Sequence, residues 1–359
     1  MKAHAIFLTI FVLAPWTHSQ DLGGSALRFD GQDDRVSIPF APSLEVESAF
    51  TLEAWVFPTS SDEGGIAGMW EQGGLPGKFL LHLADGQVVG RIARNGVPFH
   101  DVVSAPIVAG RWTHVALRYD GTLLSLFLGG IEQDSTKASG SLSDSAIGMD
   151  LGAAFDSHLS GQLDEVRLWS IARTGREILL DVATVYTSGV PGLVGAWGFD
   201  DDPSGASVLD VSGFENHGVR DPGAGPMRLA SSAPIRWSDL GLGSEGSRGT
   251  PVLRGVSRMR AGDQSYLELS NARPESSVAL IVGFSQTNTP LLGGVLVPST
   301  DAVIFGLPTN QAGQLLLEFA WPEALQLSPG YFQAWVLDPE APLGFSASNG
   351  LQSNPGIAD

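Results

Sequence analysis

The chain is predicted to be all-β and to fold as two successive sandwiches. Three observations carry that prediction. Its 359 residues exceed one sandwich of ordinary size and suit two. Apolar residues recur with a period of two in short runs, the signature of half-buried strands. Forty-five glycines and 22 prolines punctuate those runs, while 43% hydrophobic residues suffice to build cores.

The first element is a secretory signal over residues 1–19. Lys2 gives a short positive start. Ala5 to Ala14 is apolar apart from Thr9, too short to span a bilayer, and Thr17 and Ser19 are small residues suited to cleavage after Ser19. No other run is long or apolar enough for a transmembrane helix, so export without membrane insertion is expected.

Strands follow. Phe50, Leu52, Ala54 and Val56 share one face, with Thr51, Glu53, Trp55 and Phe57 on the other. Val115, Leu117 and Tyr119 alternate likewise, as do Leu124, Leu126 and Leu128 before Gly129-Gly130. A further strand runs from Leu163 to Trp169. Asp85-Gly86, Asn95-Gly96 and Asp120-Gly121 mark turns between these runs. Ile178, Leu179 and Val182 then take helical spacing, with Thr174 as cap and Glu177 three residues on. Two strand-and-turn segments at 192–200 and 209–218 either complete the first sandwich or are the relic of a second repeat. The first reading is preferred, because so few residues separate them from the next module. A Pro/Gly/Ser-rich stretch over 221–236 reads as a linker. Strand-like segments then recur at 266–269, 278–284, 294–297, 315–319 and 331–337. They predict a smaller immunoglobulin- or fibronectin-like β-sandwich over 237–359.

The first sandwich resembles a known family in four blocks that keep its order. They are Ser25-Ala-Leu-Arg-Phe-Asp-Gly-Gln-Asp-Asp-Arg-Val-Ser-Ile-Pro39, Phe50-Thr-Leu-Glu-Ala-Trp-Val-Phe-Pro58, Gly110-Arg-Trp-Thr-His-Val-Ala-Leu-Arg-Tyr-Asp-Gly121 and Gly161-Gln-Leu-Asp-Glu-Val-Arg-Leu-Trp-Ser-Ile-Ala-Arg-Thr174. Together they are similar to the laminin G-like, concanavalin A-like jelly roll of secreted bacterial proteins. That resemblance implies an antiparallel jelly-roll sandwich over 20–220 with a short helix after its last strand. The C-terminal segments 330–338 and 348–351 are similar to an unnamed module of secreted bacterial proteins that carries no known activity.

Composition excludes several functions. A formal charge of −19, from 39 acidic and 20 basic residues, is the wrong sign for nucleic acid or an anionic membrane surface. The absence of cysteine removes disulfides, thiolate metal sites and thiol nucleophiles. Carboxylates remain as ligands for calcium, a cation that prefers oxygen. Asp34 shares strand parity with Val36 and Ile38, and Asp164 with Val166 and Leu168, so each ends an apolar face where an unpaired charge is costly. Many concanavalin A-like domains hold calcium with an aspartate on the last strand and carbonyls near the first. The resemblance maps those positions onto Asp164 and the Asp30 to Asp34 loop, implying a structural calcium. The alternative is that these carboxylates cap turns or pair with Arg35 and Arg167.

Trp70 stands in a Gly-rich loop, where an aromatic ring can stack on a sugar or anchor a protein. Arg94 and Asn95, with His100, lie on a nearby hairpin, and Phe155, Asp156 and His158 on a later loop. These can reach ligand hydroxyls or simply be solvated turn residues. Trp112, Trp169, Trp197 and Trp335 sit within strand patterns and are expected in the core or at edges.

Catalytic motifs are incomplete. The alternating carboxylates of glycosidases on this fold are missing, and Asp164-Glu165 are adjacent, so they should face opposite ways. There is no His-Glu-x-x-His and no Gly-x-Ser-x-Gly. The expectation is a secreted, non-catalytic protein whose jelly roll binds a glycan or an extracellular protein. A divergent glycoside hydrolase and a structural surface or adhesion protein are the alternatives.

Overall fold

The computed structural model describes residues 24–359, apart from 61–62, 71–76, 96, 145, 155–156, 202–204, 221–224, 258, 327 and 356–359. The expected signal at 1–19 and the candidates Phe155 and Asp156 lie outside the described residues. The described chain divides into two compact units. One holds residues up to 182 together with 189–233, and the other holds 183–188 and 234–359.

In the first unit the strands are, in chain order, β1 (Ser25–Asp30), β2 (Val36–Ile38), β3 (Phe50–Pro58), β4 (Gly64–Met69), β5 (Phe79–Ala84), β6 (Gln87–Arg94) and β7 (Val97–Pro106). Next come β8 (Thr113–Tyr119), β9 (Leu123–Leu128), β10 (Ile131–Lys137), β11 (Met149–Leu151), β12 (Ala153–Ala154), β13 (Ser157–His158), β14 (Ser160–Trp169) and helix α1 (Gly175–Asp181). After β15 (Thr184–Tyr186), which belongs to the other unit, β16 (Leu193–Trp197), β17 (Ser207–Val208), β18 (Gly218–Arg220) and β19 (Met227–Ala230) close the first. They form two eight-stranded antiparallel sheets. The first runs β10-β9-β8-β3-β14-β1-β19, with β16 also on β14, and the second runs β17-β18-β2-β11-β4-β5-β6-β7.

Alternation explains the core between them. Leu52, Ala54 and Val56 of β3 and Val115 and Leu117 of β8 meet Phe79, Leu81, Val88 and Ile92 from the second sheet. Phe50 and Phe79 stack with ring centroids 4.5 Å apart. Trp197 is wholly buried and its Nε1 donates to the Asn216 carbonyl at 2.9 Å. The 192–218 segment therefore completes the jelly roll.

The other face of β3 is buried as well, because α1 lies over it. Thr174 Oγ1 accepts from Glu177 N at 3.2 Å, and Glu177 Oε2 accepts from Thr174 N at 2.7 Å, a capping box. Ile178 packs on Ala116 and Phe127. Trp55 Nε1 donates to the Val182 carbonyl at 2.9 Å. Beneath the helix Arg173 bridges Glu53, at 2.8 Å, and Asp181, all three almost fully buried. The Arg173 guanidinium also lies 4.2 Å over the Trp169 ring. Thr174→Ala should lower jelly-roll stability by about 1 kcal/mol through loss of this cap, measured by urea unfolding. An unchanged midpoint would show that burial alone holds the helix.

The second unit adds β20 (Trp237–Asp239), β21 (Val252–Val256), β22 (Gln264–Ser270), β23 (Ser277–Gly283), β24 (Gln286–Leu291) and β25 (Gly294–Pro298). Then follow β26 (Ala302–Pro308), β27 (Leu315–Ala320), β28 (Tyr331–Leu337), β29 (Phe345–Ala347) and β30 (Leu351–Ser353). A seven-stranded sheet, β15-β20-β30-β28-β23-β26 with β29 on β28, faces a three-stranded sheet, β21-β22-β27. Trp237, Trp321 and Phe332 meet edge to face in the shared core. Gly255 is required there, since a Cβ would lie 2.3 Å from the Trp237 ring.

The expected linker at 221–236 needs correction. Residues 221–224 lie outside the described residues, but Met227–Ala230 is strand β19, paired with the free edge of β1 from Ser25↔Ala230 to Arg28↔Met227. Four residues are too few to display alternation. The boundary instead falls at 233/234, and 183–188 lies with the second unit.

Candidate functional site

The outer face of the second sheet carries the candidate site. One register row crosses all eight strands: Ser207, Val219, Ser37, Asp150, Gly68, Leu80, Arg91 and Asp101. Neighbouring strands lie about 4.8 Å apart, so cross-strand neighbours on this face are placed to touch one ligand. Ser37 Oγ donates to Asp150 Oδ1 at 2.8 Å, leaving Asp150 Oδ2 as an acceptor. Gly68 has no side chain, and a Cβ there would meet the Phe79 carbonyl at 2.7 Å. Beside this row a groove of about 590 Å³ is lined by Arg35, Ser37, Phe40, Trp70, Asp150 and His158, among others.

Trp70 follows β4 directly and stands at the groove. Its ring meets that of Phe99 edge to face at 5.1 Å. Arg91 lies against both, 5.9 Å from the Trp70 centroid and 5.3 Å from that of Phe99. A two-pronged pair with Asp101, at 2.7 and 2.6 Å, orients the guanidinium. His82, two residues from Leu80 on this face, is held below the ordinary imidazole value by burial and by Arg91. Aromatic surface beside fixed donors and acceptors suits a polyhydroxylated ligand.

Arg94 and Asn95 do not join Trp70. Arg94 donates to the Ser139 carbonyl and lies against His100, and Asn95 Nδ2 donates to Asp144 at 2.9 Å. Both residues pin the end of the β6–β7 hairpin to the loop after β10, and neither lines the groove. Phe99 and Arg91, with its partner Asp101, stand against Trp70 instead, while Asp150 lines the groove itself. Their outward parity is readable, since Val88, Gly90 and Ile92 alternate inward, but their assembly depends on register. His158 does line the groove, with Nδ1 3.1 Å from the Asp34 carbonyl.

The carboxylates expected at one metal site occupy two places. Asp30, Asp33 and Asp34 come together, their oxygens within 4.8 Å of one another. They act largely as turn caps. Asp34 Oδ2 accepts from Asp30 N at 2.8 Å, and Asp30 accepts from Gln32 N at 2.8 Å. Asp164 is not among them. Register sets Asp30 opposite Ser160 and Leu27 opposite Leu163, so Asp164 lies about 13 Å along the strands at 3.3 Å per residue.

A bulge also overturns the parity expected for Asp164. Between Asp164↔Trp55 and Arg167↔Glu53, β14 carries one extra residue. Glu165 takes φ +47°, a left-handed conformation that is strained for glutamate. Leu163 and Val166 consequently both face the core, and Asp164 turns outward beside Trp55. The adjacent carboxylates are not insulated on opposite faces. Asp164 and Glu165 are both buried and interact, with Asp200 beside them. Asp164 accepts from Ser231 Oγ and from Glu165 N, and Asp200 accepts from Ser25 N at 2.6 Å.

All three carboxyls are raised above their usual range. For Asp164 the causes are burial and then the Glu165 charge. Burial lifts Glu165 to about 8, against the pull of Arg167, and Asp200 adds to the rise. Asp200 itself is raised chiefly by burial. Here the jelly roll gathers carboxyls whose proton affinities are raised despite Arg167 and Arg228 nearby, and Glu165 and Asp200 were not singled out from sequence.

The fold is a concanavalin A-like sandwich with a groove on its second sheet. Residues 30–179 match the concanavalin A-like lectin/glucanases superfamily, which this part of the chain resembles in its jelly-roll fold. Human usherin is 26% identical over 148 residues, and mouse pappalysin-1 is 25% identical over 188. These stretches are 38% and 44% of this chain but only 3% and 11% of those proteins. A candidate carbohydrate binding protein from Bacteroides ovatus superposes with a TM-score of 0.48 at 22% identity, over 59% of this chain and 61% of that one. No helix among the described residues is long and apolar enough to cross a membrane.

Proposed function

We propose that the jelly roll is a non-catalytic glycan-binding module of an exported protein, and that its site is the groove on the second sheet. The observation that carries this reading is the grouping of Trp70, Asp150, Ser37 and Arg35 around one groove on a rigid sheet. The match of residues 30–179 to a superfamily described by its lectins and glucanases supports carbohydrate recognition. A stacking ring supplies apolar contact to a sugar face, and Asp150 accepts from hydroxyls.

Trp70→Ala in the full chain should weaken glycan affinity roughly tenfold to a hundredfold, or about 1.4–2.8 kcal/mol. The melting temperature should hold, because the ring is only partly buried. Calorimetric titration beside a melting scan checks both. Undiminished affinity moves the site elsewhere. Polysaccharide hydrolysis that a single carboxylate substitution abolishes would overturn the non-catalytic reading.

A structural calcium belongs to the same proposal, held by Asp164, Glu165 and Asp200 rather than by the Asp30 to Asp34 loop. Two buried carboxylates, Asp164 and Glu165, with the exposed Asp200 beside them and raised proton affinities in all three, suit a hard cation that would replace their protons. Among the described residues only Asp30, Asp33 and Asp34 already bring their oxygens within 4.8 Å of one another, so this set would have to draw together on binding. The loop carboxylates already accept backbone N–H groups. The basic, apolar start of the chain supports export.

A further inference from the structure

We propose that the groove selects a sugar carrying a carboxylate, of the hexuronate type, and that Arg35 reads that group. This deepens the glycan-binding reading and rests on it. Among the described residues Arg35 is exposed, lines the groove and has no hydrogen-bond or ion-pair partner. Arg91, by contrast, already has its fork closed by Asp101.

The spacing suits one pyranose ring. Ser37 and Asp150 are directly opposite, and Arg35 is two residues from Ser37, so Arg35 is the diagonal neighbour of Asp150. Such positions are about 7–8 Å apart. A ring lying between them offers hydroxyls to Asp150 Oδ2 and its carboxylate to the guanidinium. A planar fork matches a carboxylate bidentately. His158 also lines the groove, its Nδ1 turned to the Asp34 carbonyl at 3.1 Å. The chain's net charge of −19 opposes an anionic ligand at long range. Physiological salt screens that field beyond about 8 Å, whereas contact with Arg35 lies well inside this distance.

The test measures binding of the full chain to paired oligosaccharides: oligogalacturonate, its neutral methyl ester and a sulfated galactan. Wild type should bind the free acid at least tenfold more tightly than the ester. Arg35→Gln should bring the two within about twofold by weakening the acid far more than the ester, and Arg35→Lys should restore only part of the preference. Trp70→Ala should weaken acid and ester alike. Equal binding of acid and ester by wild type overturns the carboxylate assignment. So does a preference that survives Arg35→Gln, or a sulfated ligand that outcompetes the acid. If the ester binds and the acid does not, glycan binding stands and this inference falls. If no oligosaccharide in a broader acidic and neutral panel binds, the underlying reading falls with it.

Discussion

In chelating buffer the stability of the jelly roll should fall as the pH rises from about 5 to 9. Glu165 is held up to about 8 in the folded chain and Asp164 is raised well above its usual range, whereas unfolded carboxyls titrate near 4. Between those limits the folded state binds more protons than the unfolded state. Stability therefore declines with pH, by up to about 1.4 kcal/mol per pH unit for each group. The total loss should be on the order of 3 kcal/mol or more, read from urea unfolding at stepped pH. Glu165→Gln should remove much of the slope, because an amide needs no proton. Millimolar calcium should flatten it in wild type by holding the carboxylates ionised, and at a hundredfold excess over its dissociation constant it contributes about 2.7 kcal/mol. A flat profile in chelator would mean that the acids are compensated within the fold. A slope that calcium does not change would remove the metal from the proposal.

Arg173→Ala should cost the jelly roll about 3–5 kcal/mol, the usual range when one partner leaves a buried ion pair. Glu53 and Asp181 would both lose their ion pair with Arg173 in a buried site, leaving Glu53 only the weaker pull of Arg167. His114 gives Glu53 little relief, since burial holds its imidazole below the ordinary value. Glu53 is the most strongly affected group. Burial opposes its ionisation, yet Arg173 and Arg167 outweigh burial and hold it far below the usual carboxylate range. It therefore stabilises the fold above about pH 4.3, the unfolded value. That contribution is lost as the pH falls toward the folded value, opposite in sign to Glu165. Hydrogen exchange should show protection of 175–181 collapsing in Arg173→Ala. The double variant Glu53→Gln with Arg173→Met should recover much of the stability, since it leaves less charge unpaired. A single-variant loss below 1 kcal/mol would show that water reaches the site.

What sequence could reveal follows from which signals are local. The strands around Phe50 to Pro58 and Thr113 to Tyr119 are legible because alternation is written in consecutive residues. Helix α1 is legible because Thr174 and Glu177 form their box within one turn. The bulge at Glu165 is not, since nothing in Leu-Asp-Glu-Val announces a left-handed glutamate, and one extra residue reverses every parity inference around it. Strand β19 takes its identity from the free edge of β1, not from its own four residues. Trp70 could be placed at a ligand surface by its loop. Its companions could not, because Asp150 and Arg91 reach the same face only through the register of three strand pairings. Arg94 and Asn95, close in sequence, are drawn instead to Ser139 and Asp144.

The pairing of β1 with both β14 and β19 has a consequence for synthesis. Ser25 lies opposite Ala230, so the first strand of the jelly roll waits for nearly the last. At 5–20 residues per second a ribosome needs roughly 10–50 s to reach that point. Through that interval one edge of β1 stays unpaired, and its other edge waits for β14. Contacts this distant in sequence also slow the search itself. The domain should therefore fold late and as a unit, after its final strand has emerged. A circular permutant that joins β19 to β1 through a short turn, and opens the chain at an exposed hairpin, should fold faster at similar stability.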